Sequence, residues 1–155
     1  MPVYRDGNDI KVYKVVKVIK PDYLDNPNNF SKVSYESPYY GGMQGSMWEI
    51  GKTNAIESPG PEYETFDGMK RILGCAFHSF YHLEDAFHEL EDWQRCAPKE
   101  YTILECVIPA NTEYVYFGWF YKNEPDEPVP AYASQSLTPV RALSKKELKK
   151  IALNE

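Results

Sequence analysis

A chain of 155 residues is about one domain long, enough to bury a core without disulfides or metals. Its 26% charged residues and formal net charge of −6 fit a globular protein and oppose generic attraction to nucleic-acid phosphates. No apolar run approaches the ~20 residues of a membrane span, and the opening MPVYRDGNDIKVYK lacks the apolar stretch of a secretory signal, so a cytoplasmic protein is expected.

In chain order, Asp6-Gly7-Asn8-Asp9 reads as a turn, with a short hairpin onto the preceding VYR. IKVYKVVKVIK, residues 10 to 20, is rich in β-branched residues and predicts a strand ending before Pro21. Residues 21 to 47 form a long polar connection in which only SKVSYES has strand character. MWEIGK predicts a strand and GMKRILG a helical turn ended by Gly74. CAFHSF, residues 75 to 80, alternates as a strand does. From Leu83 the period changes: Leu83, Ala86, Phe87, Leu90 and Trp93 share one helical face, predicting a helix to about Trp93 with His88 facing water. YTILECVIP, EYVYFGWFY and YASQSLTPVRAL predict three strands, joined by an Ala-Asn-Thr turn and an acidic proline-rich loop, NEPDEPVP. Ser144 and Glu147 make a capping box that opens a last short helix, about 144 to 153. The sum is one α+β domain over residues 1 to 155, with a core at about 10 to 143. Its strands are mainly antiparallel, around one central amphipathic helix and a short C-terminal helix.

GGMQGSMWEIGKT, residues 41 to 53, ends like a phosphate-binding loop. That loop needs four residues between its first glycine and Gly-Lys-Thr. Here Gly45 and Gly51 have five between them, bulky ones, and Pro59 and Pro61 break any helix that follows. A strand after a glycine-containing segment is the expectation instead.

His78, His82 and His88 fall within eleven residues. On a helix His88 lies roughly 240° around the axis from His82, so the two point apart, and zinc ligands must converge within about 2 Å of one point. No metal site is therefore expected. The three cysteines, Cys75, Cys96 and Cys106, contain no C-x-x-C and suit a reduced state. Cys96 with His88 lacks an orienting partner, and no G-x-S-x-G elbow is present. The helix carboxylates Glu84, Asp85, Glu91 and Asp92 read as a solvated face. The last fifteen residues are basic, which reads as the wet side of a terminal helix.

Thirteen tyrosines and three tryptophans are harder to set aside. Tyr35, Tyr39, Tyr40 and Trp48 lie around Gly41, Gly42 and Gly45, and rings of this kind anchor a protein interface or stack on a small ligand. These four are the candidate binding residues. The same rings also suit strands with a polar tip.

A strand with Tyr13-Lys14, then Trp48-Glu49-Ile50-Gly51-Lys52, then Phe77-His78-Ser79-Phe80 running into Leu83-Glu84-Asp85-Ala86, and finally Ile103-Leu104-Glu105-Cys106-Val107 resembles a family of small bacterial and phage domains. Those domains, sometimes found beside pentapeptide repeats, have no established function, and the resemblance implies none. In layout the chain also resembles the ADP-ribosyltransferase-like fold. That resemblance implies NAD as cofactor, Ser34-Tyr35 and Phe80-Tyr81 as middle elements, and Glu113 as the catalytic acid. Lys14 falls where that family carries Arg or His, and no Glu-x-Glu or Gln-x-Glu accompanies Glu113. Layout does not carry function. The expectation is a non-catalytic binding or protein-interaction domain without a cofactor, its partner a protein or small molecule. The alternative is an ADP-ribosyltransferase-like or NAD-binding domain.

Overall fold

The computed structural model describes residues 4–19, 33–37, 47–55, 62–64, 70–72, 77–96, 100–121 and 124–153. The elements are β1 (Tyr4–Arg5), β2 (Ile10–Ile19), β3 (Ser34–Glu36), β4 (Met47–Trp48), β5 (Asn54–Ala55), β6 (Glu62–Glu64), β7 (Lys70–Ile72), β8 (Phe77–Phe80), α1 (Leu83–Cys96), β9 (Tyr101–Ile108), β10 (Glu113–Tyr121), β11 (Glu124–Ser134), β12 (Ser136–Ala142) and α2 (Lys145–Leu153). Ten strands make one sheet in the order β1-β10-β11-β8-β2-β9-β12-β5, with β3 on β2 and β4 on β3. Every ladder among the described residues is antiparallel, and β6–β7 forms a separate pair. The architecture is α+β, dominated by strands.

β2 is central because its β-branched residues satisfy both faces of the sheet. Val15 packs towards the helices with Phe80, Phe87, Leu90, Tyr101 and Ile103. Val12 and Val16 pack on the other face with Trp48, Phe77, Leu104, Cys106 and Ile108. The register to β9 runs unbroken from Ile10↔Ile108 to Lys17↔Tyr101. A one-residue slip would exchange the two cores.

The helix follows its period. Ala86, Phe87 and Leu90 are buried and His88 is exposed, as the apolar stripe dictates. Burying Phe87 and Leu90 contributes roughly 1.5–3 kcal/mol each. The helix runs three residues past Trp93, to Cys96. Glu89 is buried too, and its carboxylate accepts a hydrogen bond from Trp93 Nε1 at 3.0 Å. At α2 the capping box closes: Glu147 N donates to Ser144 Oγ at 3.1 Å, and Ser144 N to Glu147 Oε1 at 3.2 Å.

Several local expectations give way. Tyr4–Arg5 pairs with β10, through Tyr4↔Tyr114, and not with β2. MWEIGK keeps only two strand residues, because Lys52 N donates to Glu49 O and closes a turn at Gly51, whose φ of 84° suits glycine. Within GMKRILG, Lys70–Ile72 is a strand paired with β6, so the expected helical turn is replaced by a ladder. Residues 124–130 of the expected proline-rich loop form the first part of β11. On that strand's second edge the β8 ladder ends at Ala131, and beyond it Tyr81 N donates to Pro130 O at 3.3 Å, a bond that uses proline's carbonyl and not its missing N–H. YASQSLTPVRAL divides between β11 and β12 at Gln135.

A bulge between Pro139 and Arg141 reverses the alternation of β12. Leu137 and Pro139 are buried, and strict alternation would send Arg141 the same way. The extra residue, Val140, turns Arg141 to the helix side, where it bonds Glu105 at 2.7 Å and both oxygens of Glu147 at 3.0 Å. Lys11 completes the group, 2.8 Å from Glu105. The Arg141 guanidinium and then the Ser144 N–H draw the Glu147 carboxyl down to about 2, and Lys11 foremost lowers that of Glu105. A carboxyl lowered by folding stabilises above its unfolded value and loses that contribution as pH falls through the folded one. Melting temperature should therefore decline as pH drops from about 4.5 towards 2. Arg141→Ala should flatten that decline; an unchanged slope would show that the network does not govern acid sensitivity.

Candidate binding surface

The four aromatic candidates separate. Tyr39 and Tyr40 lie outside the described residues. Trp48 is 1% exposed. Its ring meets Phe77 edge-on at 5.1 Å, and its Nε1 donates to Ser37 Oγ at 2.7 Å. The expectation of an accessible Trp48 is thus corrected: β3 and β4 fold its ring onto the sheet, where its large apolar area is removed from water. Tyr35, opposite Trp48 in that ladder, is half-buried.

Tyr35 borders a groove of about 550 Å³ between β3, α1 and α2. Phe87, Leu90, Tyr101 and Leu143 line it, and Lys145 and Lys149 of α2 also line it. Its size is that of a small-ligand or side-chain anchor site. Sequence reading placed Tyr35 at a binding surface but missed the groove, since its walls come from segments that are far apart in the chain. Apart from the groove, Met47, Ile50 and Val140 are 49%, 43% and 48% exposed. Asn54 Nδ2 bonds Met47 O and Gly51 N bonds Pro139 O, which brings these three side chains to one end of the sheet.

The groups considered for catalysis do not meet. Glu113 forms an ion pair with Arg5 at the sheet's β1–β10 end. Lys14 sits on β2, three strands away in the order β10-β11-β8-β2, about 14 Å at the usual strand spacing. Lys14 is 4% exposed, donates to His78 O at 2.8 Å and lies 5.5 Å from the Trp48 ring centre. Burial pushes its ammonium down to about 8. Cys106 is buried, and its thiol is pushed up to about 12, so it stays protonated and unreactive. Cys96 ends α1, eight residues beyond His88, about 12 Å along the axis. His78 is on β8, His82 precedes α1 and is exposed, and His88 is on the exposed side of α1. No group of three metal-ligating side chains occurs among the described residues. No helix among them is long and apolar enough to cross a membrane. Gly51 N, in the glycine-lysine-threonine segment, is taken up by Pro139 O, and a short strand follows where a phosphate loop requires a helix.

The chain matches no family model, no curated protein and no solved structure.

Proposed function

We propose that the chain is a non-catalytic binding or protein-interaction domain of bacterial or phage type, its partner seated along the groove beside Tyr35. The observation that carries this reading is the groove itself: an apolar floor of helix and strand residues, with Lys149 and a Lys145–Glu100 ion pair of 3.8 Å beside it. The separation of Lys14 from Glu113 weighs against an ADP-ribosyltransferase-like site.

Two measurements test this. Pull-downs with wild type, Tyr35→Ala and Lys149→Glu should show one partner reduced about tenfold by the variants, the loss of one interface anchor worth ~1–2 kcal/mol. Circular dichroism should show the fold intact. A partner retained in full by both variants places the interface elsewhere. Titration with NAD, following nicotinamide release, should show neither binding nor turnover at millimolar concentration. Saturable binding would transfer the assignment to the enzyme reading.

A further inference from the structure

On the sheet face opposite the helices, four tyrosines gather around one ring. Tyr132 of β11 is only 7% exposed. Tyr116, its register partner on β10, stands at 67° to it with ring centres 5.3 Å apart. Tyr114 stands at 73° and 5.6 Å, and Tyr81, at the end of β8, is tilted at 41° and 6.2 Å. Strand alternation sets this up: Tyr114 and Tyr116 are two apart on β10, so both rings leave the same face as Tyr132. Tyr132 is the floor, and Tyr81 and Tyr116, 48% and 49% exposed, are walls open to water.

Charges of both signs surround this box, the carboxylate of Asp6 and the cations of Arg5 and Lys14. Burial first, then Tyr116, Tyr114, Tyr81 and Asp6, push the Tyr132 phenol up to about 12. A place where added negative charge is opposed by a nearby carboxylate is a place where positive charge is favoured. Ring faces add to this, because their quadrupole presents negative density to a cation. Arg5, beside Asp6 in sequence, is engaged by Glu113. Lys14 shares the face, one strand from Ser79 and two from Tyr132, about 5 and 10 Å away, its Nζ held by His78 O at 2.8 Å.

A second feature adjoins the box. Ser79 is directly opposite Tyr132 in the β8–β11 ladder, is 3% exposed, and its Oγ has no hydrogen-bond partner among the described residues. A buried hydroxyl left unmatched costs about 1–3 kcal/mol. A ligand with a polar arm one strand spacing from its cation would satisfy it.

We propose that Tyr81, Tyr114, Tyr116 and Tyr132 form a binding site for a small quaternary ammonium compound of the choline type, with Asp6 as counter-charge and Ser79 receiving the ligand's hydroxyl. The site is separate from the groove beside Tyr35 and does not depend on it. A compact alkylated cation fits where a hydrated metal ion would not, since it gives up little hydration on meeting ring faces.

Calorimetric titration of the full chain with choline tests the assignment. Saturable binding is expected at millimolar choline. The neutral isostere 3,3-dimethyl-1-butanol should bind at least about tenfold more weakly. Tyr81→Ala, Tyr116→Ala and Asp6→Asn should each weaken choline about tenfold, whereas Tyr116→Phe, which keeps the ring face, should not. Ser79→Ala should weaken choline but leave tetramethylammonium unaffected. Tyr81 and Tyr116 are half exposed, so their variants should fold, and circular dichroism checks this. Absence of saturable choline binding, or equal binding of the neutral isostere, overturns the proposal. Binding confined to a trimethyllysine peptide, with none to free choline, also overturns it in favour of a protein partner.

Discussion

Lys14→Met is expected to raise the melting temperature at pH 7 by roughly 2–8 °C, for a net gain of about 1–2 kcal/mol. Lys14 is buried, and burial holds its ammonium at about 8 against an unfolded value of about 10.4. At pH 7 the charged form in the folded protein therefore costs roughly 3 kcal/mol. Glu89 has already offset part of a larger desolvation cost. Methionine has a similar length and no charge. Its burial forfeits the bond to His78 O and the contact over the Trp48 ring, together worth about 1–2 kcal/mol.

The pH dependence fixes the sign. A lysine whose folded value is lowered binds fewer protons folded than unfolded between about pH 8 and 10.5, so wild-type stability rises with pH across that window. The advantage of Lys14→Met should be constant below pH 8 and shrink as pH approaches 10.5. Denaturant titrations of both proteins at pH 7, 9 and 10.5 measure it. A variant that is less stable at every pH, by a constant amount, would mean that the polar partners of Lys14 outweigh its desolvation.

Trp48→Ala should cost about 3–5 kcal/mol, the usual range for deleting a buried aromatic ring. That is a large part of a typical total stability of about 5–15 kcal/mol. The ring is 1% exposed, packs edge-on to Phe77 and satisfies Ser37. Trp48→Phe separates the contributions: it keeps most of the apolar area and loses the indole donor, so a cost near 1 kcal/mol is expected. Urea unfolding reads both. A loss under 1 kcal/mol for Trp48→Ala would return Trp48 to the list of surface anchors. The result also bears on binding experiments, since any partner lost by Trp48→Ala is lost through the fold.

These two residues show what sequence reading misses. Lys14 sits between Tyr13 and Val15 in a strand with two other lysines, Lys11 and Lys17, and nothing local marks it as the one placed against Trp48 and Cys106. Its burial comes from β8 and β9 on either side of β2 and from Trp48 across its face. Trp48 follows a glycine-containing segment, which suggested an accessible ring. Its pairing partner Tyr35 and its stacking partner Phe77 are respectively 13 residues before it and 29 after it.

The sequence alone determined the elements whose cause lies within a few residues. The α1 stripe, with Ala86, Phe87 and Leu90 inward, follows from helical spacing. The β2 strand follows from its β-branched run, and the start of α2 from the Ser144–Glu147 box. Tertiary structure decided which strands pair, where the bulge turns Arg141 to the helix side, and how EPDEPVP, residues 124–130, extends as part of β11. It also decided which tyrosines line a core, a groove or an open box. The physical reason is that a tyrosine or a lysine suits either side of a sheet, since each has an apolar body and a polar tip. Only the strands and helices that arrive from elsewhere in the chain settle whether that body is covered or left in water.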